Sequence, residues 1–335
     1  MNAALLPVTD IHTHIVPASF PASLGGQASA IEIRPGCDCG RAEVYVDGKH
    51  FRSITNECWD VGVRAERMGA LGVGRQVLSP MPELLSYWRP ADEAAAIADY
   101  VNAALAEMIA SDADRFCALG MVPLQDPDRA IAMLEQIMVI PGIRGVEIGT
   151  NIAGLGLSDA RFAAFFAAAE RLGAAVLVHP VKPTVSYAGL AAGPLQALST
   201  FACETALAAT ALIASNLLEA HPGLRLALSH GGGVLALILP RMDHGWAANP
   251  ALRETIRERP SLAARRFYYD TLVYDAATLR FLVQQLGDER LCVGTDLPFP
   301  IAEADPIGRL TEADLSGEVI SRITRLNPAR FLGLS

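Results

Sequence analysis

The chain has 335 residues, a net charge of −9 and 51% apolar residues; this gives it enough apolar content for a large core and denies it the basic balance that a nucleic-acid or anionic-membrane partner would want. Aromatic residues are scarce, at 6%, so aliphatic side chains must fill the core, as they do where helices pack on short strands. The opening M-N-A-A-L-L-P-V-T-D has no basic n-region, and no uncharged apolar stretch reaches the roughly 20 residues that span a bilayer, so the expectation is a cytoplasmic protein.

A strand is predicted first over residues 8–12, in V-T-D-I-H-T-H. The next segment, 15–56, breaks the pattern. It runs through Pro, Gly, Ser and Cys to A-E-V-Y-V-D-G-K-H-F-R-S-I, where a D-G pair between alternating residues signals a hairpin. We read it as a small β-containing insertion after strand 1, lying over an active-site mouth. Further strands are predicted over 75–79, 116–122, 145–149, 175–179, 225–229, 267–270 and 291–295. Helices over 91–110, 127–138, 159–172, 199–219 and 275–286 alternate with them, and 317–334 reads as a terminal helix. This eightfold rhythm, with no G-x-G-x-x-G loop after the first strand, predicts an α/β fold: one (β/α)8 TIM-type barrel domain over 1–335.

In such a barrel the C-terminal strand ends carry the chemistry. Of seven histidines, four stand at predicted strand ends: His12 and His14, His179 in V-L-V-H-P, and His230 in L-S-H-G-G-G. Asp296, in V-G-T-D, ends the eighth strand. Side chains two apart on a strand point the same way, so His12 and His14 can share one ion, with Asp10 on their face as a supporting acid. Three imidazoles and a carboxylate suit a mononuclear zinc; the alternative for Asp296 is a helix cap or loop acid, and its place at a strand end favours the metal. His230, ahead of three glycines that let the chain turn sharply, is better used as general acid/base than as a fifth ligand; the bland alternative is a histidine hydrogen-bonded into the strand end. His50, His221 and His244 lack such positions. Arg52, in the hairpin, could clamp a carboxylate. Arg241 sits on the helix after H-G-G-G, and for either arginine a solvated or salt-bridged surface role competes. Cys37 and Cys39 form a C-D-C without a partner pair and read as free thiols.

Together these motifs resemble the aminocarboxymuconate-semialdehyde decarboxylase family of the amidohydrolase superfamily, over nearly the whole chain. D-I-H-T-H, V-H-P, H-G-G-G and G-T-D-L-P-F-P belong to the wider superfamily. D-G-K-H-F-R (47–52), C-W-D (58–60) and S-Y-W (86–88) are closer to this branch, joined by V-P-L-Q-D (122–126) and N-P-A-R-F-L-G-L (327–334). The resemblance implies zinc on His12, His14, His179 and Asp296, with His230 as acid/base. It also implies Arg52 on a substrate carboxylate and Arg241 reaching the neighbouring active site of a homodimer. The expected reaction is non-oxidative decarboxylation of a small unsaturated or aromatic carboxylate, foremost a 2-amino- or 2-hydroxy-carboxymuconate semialdehyde. The alternative is hydrolysis, hydration or deamination of a related muconate. Two departures bear on substrate. A lysine often found before the D-G-K turn is Val46 here, and the W-D after V-H-P is replaced by Val181 and Lys182. Strand four ends G-V-E-I-G-T with Glu147 and no lysine, which agrees with a mononuclear centre.

Overall fold

The computed structural model describes residues 6–36, 40–187 and 194–334. Eight parallel strands follow one another around a single sheet: β1 (Thr9–Ile15), β2 (Arg75–Pro80), β3 (Phe116–Gly120), β4 (Ile143–Gly149), β5 (Ala175–His179), β6 (Arg225–Leu228), β7 (Tyr268–Asp270) and β8 (Leu291–Cys292). Parallel bridges from Asp10 to Val293 and from Thr13 to Leu297 lay β1 beside the end of β8 and close the ring. A helix follows each strand: α1 (Val61–Ala70), α2 (Ala91–Ser111), α3 (Pro127–Ile137), α4 (Ala163–Leu172), α5 (Pro194–Ala214), α6 (Leu235–Ala248), α7 (Ala276–Leu286) and α8 (Pro306–Glu312). Aspartates start several of them: the side chains of Asp60, Asp126, Asp275 and Asp305 each accept a backbone N–H of the first turn, which satisfies donors that have no partner inside the helix. The (β/α)8 barrel is therefore the fold.

Inside the ring, Ile11, Val77, Cys117, Leu119, Leu177, Ala227, Tyr268 and Cys292 form an apolar cluster of their own, to which Phe331 and Leu332 of the C-terminal helix Asn327–Phe331 add. The larger core lies between sheet and helices. Residues 317–331 are three short helical pieces, Gly317–Ser321, a π turn Arg322–Leu326 and Asn327–Phe331, rather than one helix.

The segment after β1 contains a three-stranded antiparallel sheet of Ile31–Pro35, Arg41–Val46 and Lys49–Thr55. Its D-G turn has φ of +52° at Asp47 and +72° at Gly48, the paired positive values that a tight two-residue hairpin needs. The first of these strands was not among the predicted elements. The fifth helix also differs from expectation. It begins at Pro194, and the chain turns through Asn216 at φ +56° into a separate short helix, Leu217–Ala220. By length and composition 197–214 could cross a membrane, but here Ala206, Ala209, Leu212 and Ile213 are buried in the barrel's outer layer. Cys37, Cys39 and residues 188–193 lie outside the described part.

Candidate active site

β1 runs on through His14, and its register against β2 shifts between Asp10 and Thr13. This shift corrects one expectation. Asp10 falls out of phase with His12 and His14; its carboxylate accepts from Thr295 Oγ1 at 2.6 Å, from Gln76 at 3.5 Å and from the His12 backbone N–H at 3.2 Å. Both histidine rings point into the mouth, with Nε2 atoms 3.0 Å apart. His14 Nε2 lies 2.9 Å and His12 Nε2 3.7 Å from Asp296 Oδ1. The His179 ring is 5.1 Å from that of His12 and 5.0 Å from that of His14, edge to face. One donor atom from each of His12, His14, His179 and Asp296 falls within 4.8 Å of all the others, and all four residues are buried. A site holding one metal ion needs donors gathered in this way.

Each ring is oriented by its other nitrogen. His12 Nδ1 meets Asp270 Oδ2 at 2.7 Å, His14 Nδ1 the Pro80 carbonyl at 3.0 Å and His179 Nδ1 the Pro180 carbonyl at 2.9 Å. These contacts leave three Nε2 atoms facing inward, and that of His179 is buried with no hydrogen-bond partner. An orphaned imidazole nitrogen beside two others and a carboxylate fits a divalent cation, since an outer hydrogen bond on the far nitrogen is how proteins fix ligating histidines. Gly294 permits the close approach: a Cβ there would lie 2.6 Å from that of Asp270 and 2.9 Å from that of His12.

Asp270, at the end of β7, is the residue that sequence reasoning missed. It also accepts the backbone N–H groups of His230 and Gly231, both at 2.8 Å. One carboxylate thus aims a metal-type histidine and anchors the segment that carries His230. The tail of the predicted strand 267–270 ends on this acid, so the strand-end rule that selected Asp296 could have found it. His230 is held at φ +54°. Its Nε2 is 4.0 Å from Asp296 Oδ2 and its Nδ1 3.1 Å from Ser229 Oγ. It stands beside the four-residue group without belonging to it.

The charges follow from burial and pairing. Burial opposes the charged form of His12, but the hydrogen bond and charge of Asp270 push it up to about 9. Burial alone would raise Asp296, yet His14 and His12 hold it at about 2. Burial and the positive charge of His12 bring His230 down to about 4, and burial holds His179 well below the ordinary histidine range. At neutral pH His230 is therefore an unprotonated base. Glu147, buried at the end of β4, lies 3.7 Å from His14 Nδ1 and is pushed up to about 8 by burial.

Arg52 sits at the rim. Its guanidinium lies 4.3 Å from the Phe299 ring centroid, and Phe299 in turn stacks on His14 at 5.2 Å. Glu83 Oε1 is 3.9 Å from the same guanidinium. Arg241 is exposed on α6 and makes no hydrogen bond, ion pair or ring contact with this chain's site among the described residues. His50 and His221 pair with Glu43 and Glu170 at 2.6 and 2.8 Å, as surface histidines do.

A family model described as Amidohydrolase matches residues 9–334. The chain belongs to the amidohydrolase family. Among its relatives, a 2-amino-3-carboxymuconate-6-semialdehyde decarboxylase of Dictyostelium discoideum is 33% identical over 97% of this chain and 91% of its own length. A gamma-resorcylate decarboxylase of Rhodococcus jostii is 30% identical over 81% and 88%. The apo crystal structure of an IDCase from Metarhizium anisopliae superposes with a TM-score of 0.83 at 22% identity, covering 100% of this amidohydrolase and 99% of that chain. The barrel is thus shared well beyond close sequence likeness.

Proposed function

We propose that this amidohydrolase is a zinc-dependent, non-oxidative decarboxylase of a small unsaturated or aromatic carboxylate, with 2-amino- or 2-hydroxy-carboxymuconate semialdehydes as the foremost substrate class. The observation that carries the reading is the division of labour around Asp270: His12 is aimed at the four-residue donor group, while His230 is fixed beside it as a separate base. Relatives at 33% and 30% identity that bear decarboxylase names support the reaction.

His12, His14, His179 and Asp296 would hold the ion, a three-nitrogen, one-oxygen set that suits zinc. When bound, the ion supplies Lewis acidity and a fixed positive charge. Arg52 would bind a substrate carboxylate at the rim, its approach set by Phe299. His230, neutral at physiological pH, would take a proton from solvent water and deliver it to the carbon that bears the carboxylate, leaving hydroxide to the solvent. The carbon–carbon bond then breaks, its electrons return to the conjugated system and carbon dioxide leaves. The proton gained by the product replaces the group lost. Holding these groups in register contributes a large part of such a rate enhancement.

The functional unit we propose is a homodimer in which Arg241 enters the neighbouring site. Leu237 and Arg241 are one turn apart on α6, and Leu237 is 69% exposed, as are Leu198 and Leu207 of α5 at 57% and 54%. Apolar side chains exposed this fully on two neighbouring helices suit a self-association face. Free thiols at Cys58, Cys117, Cys203 and Cys292 fit a cytoplasmic location.

The test is elemental analysis of purified protein with an ultraviolet assay of aminocarboxymuconate semialdehyde. Roughly one zinc per chain and carbon dioxide released in step with lost absorbance are expected. A metal-loaded protein that leaves the carboxylate in place and hydrates or hydrolyses the substrate instead would overturn the reading.

A further inference from the structure

Arg52 is not alone at the rim. β2 leads into the turn Pro82–Leu85, whose Pro82, Leu84 and Leu85 are buried. Glu83 is the single charged residue of this turn, and its side chain is only 20% exposed. The turn gives it little freedom to swing away: the Leu84 N–H donates to the Met81 carbonyl at 2.8 Å, and Ser86 closes the turn at φ +56°. An acid held among buried apolar neighbours is costly unless something opposite it carries charge or donates a hydrogen bond.

What stands opposite is Arg52. Glu83 Oε1 lies 3.9 Å from the guanidinium, beyond hydrogen-bond distance, and Oε2 is buried with no hydrogen-bond partner. Among the described residues Glu83 is the one acid within ion-pair distance of Arg52. The Phe299 ring holds the same guanidinium at 4.3 Å, so ring and acid share it. Glu83 also feels the negative charge of Asp296, and Glu147 feels that of Glu83; the acid therefore stands near the donor group as well as at the rim. A carboxylate approaching Arg52 meets one that is already there. It gains the attraction of the cation and suffers the repulsion of the acid, and in a mouth partly shielded from water such like-charge crowding is felt strongly. An uncharged ligand of the same shape escapes the penalty.

We propose that Glu83 is a resident carboxylate that competes with the substrate's carboxylate for Arg52, a specificity-determining residue that lowers the site's affinity for carboxylates. It pairs the cation while the mouth is empty and keeps ground-state binding weak, so that the reaction does not start from a deepened well. The inference rests on the reading of Arg52 as the clamp for a substrate carboxylate.

Calorimetric titration of the metal-loaded protein with benzoate and its uncharged isostere benzamide tests it. Glu83→Gln keeps the shape of the side chain and removes its charge. It should tighten benzoate ~10-fold and leave benzamide within about twofold. In an Arg52→Gln background the same substitution should change benzoate by less than about twofold, because the two residues act as one pair. Benzoate bound by Glu83→Gln no more tightly than by the wild type would overturn the proposal, as would a gain that benzamide shares or that survives Arg52→Gln. Arg52→Gln alone should weaken benzoate; unchanged affinity would remove Arg52 as the clamp and the proposal with it. Carbon dioxide release is measured separately. A protein that shows the benzoate gain yet releases none keeps the competition and loses the decarboxylase assignment.

Discussion

The floor and the mouth of the barrel are built from the same strands and obey different rules. On β5, Leu177 points into the ring and His179, two residues on, points into the mouth; on β7, Tyr268 and Asp270 repeat the pattern. One step of the strand's two-residue period separates an apolar filler from a residue of the mouth. The floor asks only for volume, because dispersion and burial are non-directional. The mouth asks for angles: His12, His14 and His179 each have Nδ1 tied and Nε2 turned inward, and Asp270 serves two masters at 2.7 and 2.8 Å. A barrel can therefore keep its fold while its mouth changes chemistry, and the reverse does not hold.

Substitutions on the two levels should separate cleanly. The largest effect belongs to the mouth: His230→Asn should lower kcat by ~10²–10⁴-fold, the usual worth of a general acid/base, with an unchanged urea midpoint. A loss of stability equal to the loss of rate would erase the distinction. On the floor, Leu177→Ala should cost about 2–5 kcal/mol in a urea titration and leave turnover per folded molecule within ~twofold, since a buried leucine contributes packing alone. Turnover that collapses while the midpoint stays put would show that the floor also sets angles.

The smallest effect sharpens the comparison most. Asp270→Asn should weaken metal affinity by ~10–100-fold, as loss of an outer partner does. It should also change the pH dependence. His12 is held at about 9 by Asp270, and it ligates only when neutral, so below that pH each ion must displace a proton. Wild-type affinity should then climb ~tenfold per pH unit up to about 9, whereas in Asp270→Asn the climb should end at a lower pH, because burial then acts on His12 without that carboxylate to oppose it. Competition titrations with a chelator at several pH values would read this directly, and identical slopes in the two proteins would remove Asp270 from its role.

Much of the mouth was legible before the structure. Short apolar runs ending in His or Asp mark buried strands that terminate at a site, because nothing else places a polar side chain at the end of a hydrophobic strand so regularly. The pattern gave Asp296 as the carboxylate of the donor group but not the supporting role of Asp270. Asp270 ends β7 and Asp296 stands in the segment after β8, and only distance separates a donor from a support. The phase of Asp10 was lost for a related reason: a bulge leaves no mark in T-D-I-H-T-H, yet it turns that side chain away from the two histidines. Arg64 was also invisible. It reads as one more charge on an amphipathic helix, but it is buried, donating to the His14 carbonyl at 2.6 Å and to Gln76 at 3.3 Å. The strand 31–35 is short and half exposed, which left it too weak a signal.

Closure between β1 and the end of β8 carries a consequence for the order of events at synthesis. Thr295 Oγ1 bonds Asp10, 285 positions earlier in the chain, and Phe331 packs on Tyr268 inside the ring. His12 and His14 leave the ribosome long before Asp296, the carboxylate that completes their group. Contacts so distant along the chain are the slowest to form. An ion captured early would meet two loose imidazoles; one that arrives after the final strand meets a finished cage. The donor group is thus complete only once the barrel has closed.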